Sequence, residues 1–516
     1  MLKKFNQEVT EGFLFVDQYE LVMAQLYFKL GLHEQQVQFE HFFRDYPDYG
    51  SHKAGYCINA GLEWFVDWIQ NTSVADSDIE LLKTSKTGSG KRLYSDDFLI
   101  WLRKNGNFLQ LNLKSIPEGR VIHPNVPVTV VKGPLAFAQL VETALLNQIN
   151  YQILIATKAS RIKEIVKNQP VLEFGARRAH DRGAIAGVRA ALIGGADFSS
   201  NVGISYQLGF APKGTHAHSM VQLFLALGQS ELDAFEAFAD LYPDDCILLI
   251  DTIDTLKSGL PNAIKIFEKL KRKGHSPVGI RLDSGDLAYL TIKCAASLDK
   301  AGFPDSKIVL SNELDEIRIW QILSQIKKEA NFSGVDPDKI INRLIFGVGT
   351  NLITSTGNSA LSGVYKIAAV SHNGDWQPTL KLSDTIKKMT LPGEKQVWRI
   401  IESSGKATAD LICNAKEKPE SSDKLTLINV LKEDEKREIL KQNILKLEPL
   451  LVEVISDGKI IYDFPSIRQV RETREKDLGN LDFGVKRLIN PHYYQVSISR
   501  DIWELKKKLI KRLNGD

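Results

Sequence analysis

Short apolar runs alternate with turns and helical patterns from about residue 135 onward, and no other feature restricts the possible fold as much. Each run is rich in Val, Ile and Leu, and a polar or glycine-containing turn follows it. We interpret as strands residues 171–174, 246–250, 278–282, 308–310 and 344–346. Because parallel strands need crossover helices, the alternation predicts a parallel α/β sheet. The polar residues after the strands then lie where such sheets build active sites.

The regions on either side of these strands have other patterns. Residues 17–30 have helical spacing, residues 37–43 alternate like a strand, and residues 121–131 combine a strand-like pattern with prolines. Residues 415–445 are rich in Lys, Glu and Asp, which predicts a solvated surface segment. Residues 503–513 predict an amphipathic basic helix that packs on the protein body.

Composition excludes several classes of protein. The 516 residues are too many for one ordinary domain. With 66 Lys and Arg against 63 Asp and Glu, the chain lacks the broad basic field of a nucleic-acid binder. Its four cysteines are far apart, which indicates neither a disulfide framework nor a zinc site and favours a reducing compartment. No secretory signal and no apolar run of bilayer length is visible, so we expect a cytoplasmic protein without membrane contact.

The segment Gly214-Thr215-His216-Ala217-His218-Ser219 precedes an apolar helical run at residues 220–227. A helix N-terminus there would favour anions, because its free N–H groups and dipole point toward them. Two histidines at this spacing could also ligate a metal, but no Cys or carboxylate cluster nearby completes a zinc set. A pair of capping or packing histidines explains the motif equally well.

The segment Arg281-Leu282-Asp283-Ser284-Gly285-Asp286 ends a predicted strand. Its arginine can grip phosphate oxygens in a fork, and its carboxylate can take hydroxyl groups or metal-bound water. This pair suits a sugar polyphosphate. An ion pair followed by a helix N-cap is the alternative interpretation.

Three further segments carry groups that suit anionic or aromatic ligands. Phe174 and Arg177 could stack on a flat ring and pair with its carboxylate, although a core Phe with surface arginines is the simpler alternative. Gly347-Val348-Gly349-Thr350 is a glycine-rich turn that could approach phosphate, or merely a tight turn. Thr390, with Lys381 and Ser383 before it, could meet a phosphate or could belong to a turn before a strand at residues 396–401.

The order of these and other segments resembles the nicotinate phosphoribosyltransferase family, over residues 17 to about 401. The matching segments are Asp17-Gln-Tyr-Glu, Met23-Ala-Gln, Phe42-Phe-Arg44, Ala60-Gly-Leu62, Glu142-Thr-Ala-Leu-Leu-Asn147, Glu173-Phe-Gly-Ala-Arg-Arg-Ala179, Gly194-Gly-Ala-Asp-Phe-Ser-Ser-Asn201, Gly214-Thr-His-Ala-His-Ser219, Leu249-Ile-Asp-Thr252, Asp254-Thr-Leu-Lys-Ser-Gly259, Gly279-Ile-Arg-Leu-Asp-Ser-Gly-Asp286, Ser311-Asn312, Phe346-Gly-Val-Gly-Thr350 and Thr390-Leu-Pro-Gly393.

The resemblance implies a fold and a reaction. The fold is an irregular α/β barrel of the type II phosphoribosyltransferases, with an additional mixed α+β domain formed by the N-terminal region and a C-terminal extension. We divide the chain into an N-terminal domain (1–134), a barrel domain (135–370) and a C-terminal region (371–516) that partly packs back on the N-terminal domain. The implied reaction joins nicotinate to phosphoribosyl pyrophosphate in NAD salvage, with ATP as co-substrate and Mg²⁺ as cofactor. A homodimer with shared active sites is also implied.

The resemblance also implies the roles of individual residues. His218 is the autophosphorylated histidine, and Asp251 orients it or holds magnesium. Arg281 and Asp283 hold ribose and pyrophosphate. The remaining assignments concern the two substrates: Tyr19 and Phe174 stack around nicotinate, Arg177, Thr215 and either Ser199 or Ser200 line its carboxylate pocket, and Gly349, Thr350 and Thr390 contact phosphate.

Two alternatives stay open at this point. A nicotinamide phosphoribosyltransferase would want a carboxylate facing the ring substituent; the hydroxyl-rich segment after Asp197 favours the acid, but Asp197 itself could serve the amide. The second alternative is a non-catalytic relative that acts as a scaffold or metabolite sensor. The presence of His218, Arg281, Asp283 and Thr390 argues against it.

Overall fold

The computed structural model describes residues 9–383 and 388–515. Its contacts divide the chain into two compact units. The first unit comprises Met1–Leu154 with Ala360–Asp516, and the second comprises Ile155–Ser359. The division of the sequence at residues 134 and 370 stays a prediction.

The strands are numbered in chain order. They are β1 Gln36–Phe43, β2 Cys57–Ile58, β3 Asn112–Ser115, β4 Val121–Ile122, β5 Thr129–Pro134, β6 Val171–Glu173, β7 Phe198–Ser199, β8 Ile247–Leu249, β9 Gly279–Leu282, β10 Lys307–Leu310, β11 Leu344–Val348, β12 Gly363–His372, β13 Asp375–Pro378, β14 Lys395–Glu402, β15 Ala407–Asn414, β16 Lys424–Asn429, β17 Lys436–Leu440, β18 Ile444–Pro449, β19 Val452–Ser456, β20 Lys459–Ile460 and β21 Gln495–Ile498.

The α-helices from Gln18 onward are numbered in the same way. They are α1 Gln18–Lys29, α2 Leu62–Asn71, α3 Asp76–Thr84, α4 Asp96–Asn105, α5 Leu135–Leu140, α6 Glu142–Val166, α7 Asp181–Gly194, α8 Val202–Gln207, α9 His218–Ala226, α10 Glu231–Leu241, α11 Leu260–Arg272, α12 Leu287–Lys300, α13 Glu316–Glu329, α14 Pro337–Ile341, α15 Thr350–Ile353, α16 Ile467–Asn480 and α17 Arg500–Asn514.

The second unit is built on one parallel sheet with the strand order β7-β6-β11-β10-β9-β8. Helices separate its successive strands along the chain. The strands are apolar on both faces, as Ile308, Val309 and Leu310 of β10 show by being buried together. Such strands are stable only when covered on both sides, which is why the sequence shows continuous apolar runs instead of alternation.

The first unit contains two larger sheets. An antiparallel sheet has the order β13-β12-β1-β5-β3-β19-β20, so it joins strands from both ends of the chain. A second sheet has the order β17-β16-β21-β15-β14-β18, and only its β15–β21 pair is parallel. With the parallel sheet of the second unit, these mixed elements confirm the predicted fold class, an irregular α/β barrel with an additional α+β part.

The charged segment at residues 415–445 is not simply a solvated surface segment, and that prediction was wrong in part. Its first residues are mostly exposed, but β16 and β17 lie inside the segment. Leu425, Leu427 and Ile439 are buried in one hydrophobic cluster. The apolar residues alternate with Lys, Thr and Glu, and the net polarity of the segment masks this strand pattern.

Between residues 9 and 515, leaving aside 384–387, no helix is both long and apolar enough to cross a membrane.

Candidate active site

The carboxyl ends of the six parallel strands lie along one edge of the sheet in the second unit. Each strand is followed at once by a residue that can contact a ligand or shape the site. In sheet order these residues are Ser200, Phe174, Gly349, Ser311, Asp283 and, one residue further from its strand, Asp251. These residues, which are separated by up to 175 positions of sequence (Phe174 to Gly349), therefore share one edge, as the strand rhythm predicts.

His218 is the first residue of α9, and its ring faces two carboxylates. Its Nδ1 lies 3.0 Å from Thr252 Oγ1. Its Nε2 lies 3.7 Å from Asp283 Oδ2 and 3.9 Å from Asp251 Oδ1. The side chain is 37% exposed, so one ring nitrogen is held while the other stays open to a ligand.

Asp251 joins the ends of β8 and β9 and is almost fully buried. Its Oδ2 accepts hydrogen bonds from the Asp283 N–H at 2.8 Å and from the Ser284 hydroxyl at 2.6 Å. Its Oδ1 is buried and has no hydrogen-bond partner among the described residues, and it is the oxygen nearer to His218. An unpaired buried carboxylate oxygen is costly, so it marks a place where a ligand, a metal-bound water or a protonated imidazole would be favoured.

His216, two residues earlier, has a structural role. It is only 9% exposed, and its ring packs against Phe238 at 5.0 Å between centroids. Its Nε2 accepts a hydrogen bond from the Leu249 N–H at 3.0 Å, which places the ring proton on Nδ1. Burial lowers the pKa of His216 to about 4, so this histidine is neutral near pH 7 and anchors the loop to β8. The sequence left open whether these histidines bind a ligand or pack, and the structure shows packing for His216.

Arg281 is held by three acceptors at the end of β9. Its guanidinium donates to Ser311 Oγ at 3.0 Å, to Asp283 Oδ1 at 3.2 Å and to Thr215 Oγ1 at 3.3 Å. Ser311 in turn donates its hydroxyl proton to the same Asp283 oxygen. The Arg281–Asp283 pair and Thr215, which the sequence predicted in two separate segments, thus form one network beside His218.

Phe174 lies under this network. The Arg281 guanidinium carbon is 5.5 Å from the centre of its ring, a cation–π contact. The ring also lies directly against the backbone of Gly347, where an added Cβ would overlap it. Glycine at position 347 is therefore needed for the ring to lie this close to β11.

The other predicted residues of the second unit have different surroundings. Arg177 is exposed on the one-turn helix Ala176–Arg178. Ser199 is buried and donates its hydroxyl proton to Glu173 Oε2 at 2.8 Å, whereas Ser200 is exposed. Gly349 caps the short helix α15 and Thr350 is exposed at its first position. These assignments stay predictions.

Tyr19 and Thr390 belong to the first unit. Tyr19 is in the first turn of α1 and is 45% exposed. Burial of its hydroxyl, together with the carboxylates of Glu142 and Glu20, raises the pKa of Tyr19. Thr390 is buried, and its hydroxyl oxygen accepts a hydrogen bond from the Lys381 N–H at 3.0 Å. Their roles as ring-stacking and phosphate-contacting residues stay predictions.

Sequence reasoning assigned no role to Thr252, Ser311 and Glu173 and gave Ser284 only that of a helix cap, although all four shape this site. Thr252 and Ser284 directly follow Asp251 and Asp283, and Ser311 directly follows the end of β10, which was a usable signal. Glu173 gave no such signal, because strand alternation alone does not tell which way the last side chain of a short strand points.

Among the described residues, no group of three or more His, Cys, Asp or Glu side chains is arranged to hold a metal ion. Magnesium that arrives with a polyphosphate needs only one or two protein carboxylates, because phosphates and waters fill its other positions. Asp251, with its unpaired oxygen, and Asp283 fit that smaller requirement.

A parallel α/β sheet whose strand ends bring together an arginine, two carboxylates, hydroxyl groups and a half-exposed histidine is the arrangement of an enzyme that acts on anionic substrates. Comparison of the chain with protein-family models defines this class of enzyme more narrowly. The nicotinate phosphoribosyltransferase N-terminal domain matches residues 14–150, the nicotinate phosphoribosyltransferase family matches residues 170–418, and the nicotinate phosphoribosyltransferase C-terminal domain matches residues 394–506.

Individual relatives agree with the family models. The chain is 37% identical to nicotinate phosphoribosyltransferase of Bacillus subtilis over 97% of this chain and 96% of that protein. It is 30% identical to the Caenorhabditis elegans nicotinate phosphoribosyltransferase, covering 95% and 92%. The crystal structure of human nicotinic acid phosphoribosyltransferase superposes with a TM-score of 0.77 at 27% identity, covering 96% of this chain and 99% of that one. The chain belongs to the nicotinate phosphoribosyltransferase family.

Proposed function

We propose that this protein transfers the phosphoribosyl group of phosphoribosyl pyrophosphate to nicotinate, giving nicotinate mononucleotide and pyrophosphate in NAD salvage. The relatives named above support the reaction. The observation that carries it is the meeting of His218, Asp251, Asp283 and Arg281 at one edge of the parallel sheet.

The charges of this cluster suit the reaction. The pyridine nitrogen forms a bond to the anomeric carbon as the bond to pyrophosphate breaks, so positive charge develops on the ribose and negative charge on the leaving group. The Asp283 carboxylate would stabilise the first and hold the ribose, and the Arg281 guanidinium would stabilise the second. Asp251 and Asp283 would hold Mg²⁺ accompanying the pyrophosphate, which would neutralise the leaving group.

Nicotinate is favoured over nicotinamide by the surroundings of Asp197. Its Oδ2 accepts hydrogen bonds from Lys163 Nζ at 2.8 Å and from the Val171 N–H at 2.9 Å. Val171 begins β6, so this carboxylate oxygen is bound at the amino end of the strand, opposite to the edge that carries the site. A carboxylate held there is not placed to accept a hydrogen bond from a substrate amide.

We further propose that ATP phosphorylates His218. With Nδ1 held by Thr252, Nε2 is the free nucleophile. Nε2 would attack the γ-phosphorus while the bond to the bridging oxygen breaks and ADP leaves; water would later release inorganic phosphate from the phosphohistidine. A phosphoryl group beside Asp251 and Asp283 would change the local charge and so link ATP use to substrate binding and product release.

The decisive experiment is an assay of the purified full chain with nicotinate, phosphoribosyl pyrophosphate and Mg²⁺, with and without ATP. Chromatography would follow the mononucleotide product. We expect product formation without ATP and a higher yield with it. Replacing nicotinate with nicotinamide tests the amide alternative, and a folded chain that forms no product from either would support the scaffold or sensor alternative.

A further inference from the structure

Glu173 is a buried carboxyl group at the candidate active site, and the proposed reaction gives this residue no role. It is the last residue of β6, which lies between β7 and β11, and its side chain is completely buried. Its Oε2 accepts the Ser199 hydroxyl at 2.8 Å, and its Oε1 accepts the Gly175 N–H. Burial raises the pKa of Glu173, and these hydrogen bonds oppose that effect only in part.

The turn that follows Glu173 is fixed from two sides. On the β11 side, the Phe174 N–H donates to the Val348 carbonyl oxygen at 2.8 Å, and a Cβ added at Gly175 would lie 2.6 Å from the Gly349 carbonyl oxygen. On the other side, the same added Cβ would lie 2.9 Å from Glu173 Oε1. Gly175 thus lies in a slot between the Gly349 backbone and the Glu173 carboxyl group.

This turn carries the two groups proposed to bind nicotinate. The Phe174 ring lies on one side of Gly175, and the Arg178 N–H donates to the Gly175 carbonyl oxygen at 2.7 Å, which closes the one-turn helix holding Arg177. Removing the Glu173 carboxyl would leave the Gly175 N–H without its acceptor in a buried place. The turn would then shift to find another partner, since a buried N–H without an acceptor is unfavourable.

We propose that Glu173 is a positioning residue for nicotinate: through its hydrogen bonds to Gly175 and Ser199, it sets where the Phe174 ring and the Arg177 guanidinium lie. The proposal rests on the proposed function of this site. It differs from a purely structural role because it predicts a selective effect on one of the two substrates. The phosphoribosyl pyrophosphate network of Arg281 and Asp283 is on other strands and meets this turn only through the contact of Arg281 with the Phe174 ring. Its hydrogen bonds to Ser311, Asp283 and Thr215 do not involve the turn, so it should be affected much less.

The test compares KM for the two substrates in Glu173→Ala and Glu173→Gln. We expect Glu173→Ala to raise KM for nicotinate by roughly tenfold or more, since small misplacements of binding groups have effects of that order, with KM for phosphoribosyl pyrophosphate changed by less than about twofold. Glu173→Gln should recover most of the loss, because the amide oxygen can accept from Gly175 and the amide nitrogen can donate to Ser199.

Glu231→Ala is the matched control. Glu231 is also buried in the second unit, and its Oε2 accepts hydrogen bonds from the Ser258 hydroxyl and from Asn262 Nδ2. Its removal should lower Tm without changing the ratio of the two KM values. If Glu173→Ala does not fold, Ser199→Ala replaces it, with a smaller rise in KM for nicotinate alone.

Equal changes in both KM values, no change in either, or a Glu173→Gln enzyme as impaired as Glu173→Ala would overturn the inference while leaving the proposed function intact. A folded wild-type chain that neither binds nor converts nicotinate would instead remove the proposed function, and the inference with it. Calorimetric titration of nicotinate into the wild-type chain separates these two outcomes.

Discussion

At the scale of single residues, the two histidines of the 214–219 segment differ in burial and in their contacts. His216 is enclosed against Phe238 and bonded to the β8 backbone, whereas His218 begins a helix and faces Asp251 and Asp283. Two residues of sequence are enough to separate an enclosed imidazole from one that is open to a ligand, because the loop between them turns into α9.

We expect His218→Ala to abolish phosphoprotein formation and the stimulation by ATP, because no other described histidine lies beside these carboxylates. The fold should persist, since the ring is 37% exposed. Incubation with γ-labelled ATP and circular dichroism would measure the two effects. Undiminished label in the variant would refute the assignment. His275→Ala is a suitable control, because His275 lies in the same unit and pairs with Asp244 away from the site.

Arg177→Ala should weaken nicotinate binding more than phosphoribosyl pyrophosphate binding. In the proposed site the exposed guanidinium pairs with the ring carboxylate. Loss of a charge-assisted hydrogen bond typically costs about 1.5–3 kcal/mol, or roughly 10- to 100-fold in KM. Steady-state kinetics with each substrate varied would measure this. Arg272→Ala, an exposed arginine at the end of α11, should leave both constants unchanged. Equal losses for both substrates would count against the carboxylate role.

Much of the candidate site could be predicted from the sequence, because its residues are polar residues or glycines that directly follow apolar runs. Asp251, Asp283 and Gly349 were found in this way. The hydrogen bond between His218 and Thr252 and the inward direction of the Glu173 side chain could not be predicted, because both depend on which strands become neighbours. Local sequence does not encode lateral strand order.

At the scale of elements, the charged segment at 415–445 shows how composition can conceal a strand. Its Lys and Glu side chains lie on the exposed face while Leu425, Leu427 and Ile439 fill a common cluster with Ile400 and Leu411. In contrast, five strands of the parallel sheet, β6 and β8 to β11, were located to within one or two residues, because both of their faces are apolar and turn residues bound them. The two-residue strand β7 was not predicted. Helix α1 at Gln18–Lys29 and strand β1 at Gln36–Phe43 also confirm their predictions.

We expect Leu427→Ala to destabilise the protein by about 2–5 kcal/mol, the usual cost of a cavity at a fully buried leucine. Urea unfolding would measure the change. Leu445→Ala is the matched control, because Leu445 lies on β18 of the same sheet but is 66% exposed. Its effect should stay within about 0.5 kcal/mol. Similar small effects for both variants would contradict the placement of β16 in a core.

At the scale of the whole molecule, the expected homodimer can be tested through the active site. If Tyr19 serves the site of the partner subunit, a mixed dimer of Tyr19→Ala and His218→Ala chains contains one site with both residues intact. Co-expression with two different tags should then restore about half of the wild-type ATP-stimulated activity at low nicotinate, which neither variant alone should show. The exposed apolar side chains of Val22 and Leu26, on the same helix as Tyr19, favour such an interface.

Failure of the mixed dimer to regain activity would contradict shared sites. A mass in sedimentation equal to the 57.8 kDa of one chain would contradict the dimer itself.

Glu20 should make stability depend on pH. It is buried on α1, accepts hydrogen bonds from Thr143, and lies near Glu142; burial is the main cause that raises its pKa from 4.5 to about 7. The unfolded chain loses this proton at lower pH than the folded chain. The free energy of unfolding should therefore fall by roughly 3 kcal/mol as pH rises from about 4.5 through 7, and the fall should level off by about pH 8.

Glu20→Gln removes the titrating proton but keeps an acceptor for Thr143. Relative to wild type, its Tm should rise as pH increases from 5 to 8, and differential scanning calorimetry would measure this. Glu80→Gln, an exposed glutamate paired with Lys83, should show no such trend. A Glu20→Gln curve parallel to that of wild type would contradict the raised pKa.

The pairing of β1 with both β5 and β12 has a consequence for synthesis on the ribosome. Once Pro134 has emerged, β1, β5 and β3 can assemble, but the outer edges of β1 and β3 must wait for Gly363 and Val452. At ordinary translation speeds, the edge of β1 stays uncovered for on the order of 10 to 50 s. Open strand edges are templates for aggregation. A translational pause before residue 363 would lengthen this vulnerable period, whereas the same pause after residue 372 would leave the β1 edge already protected.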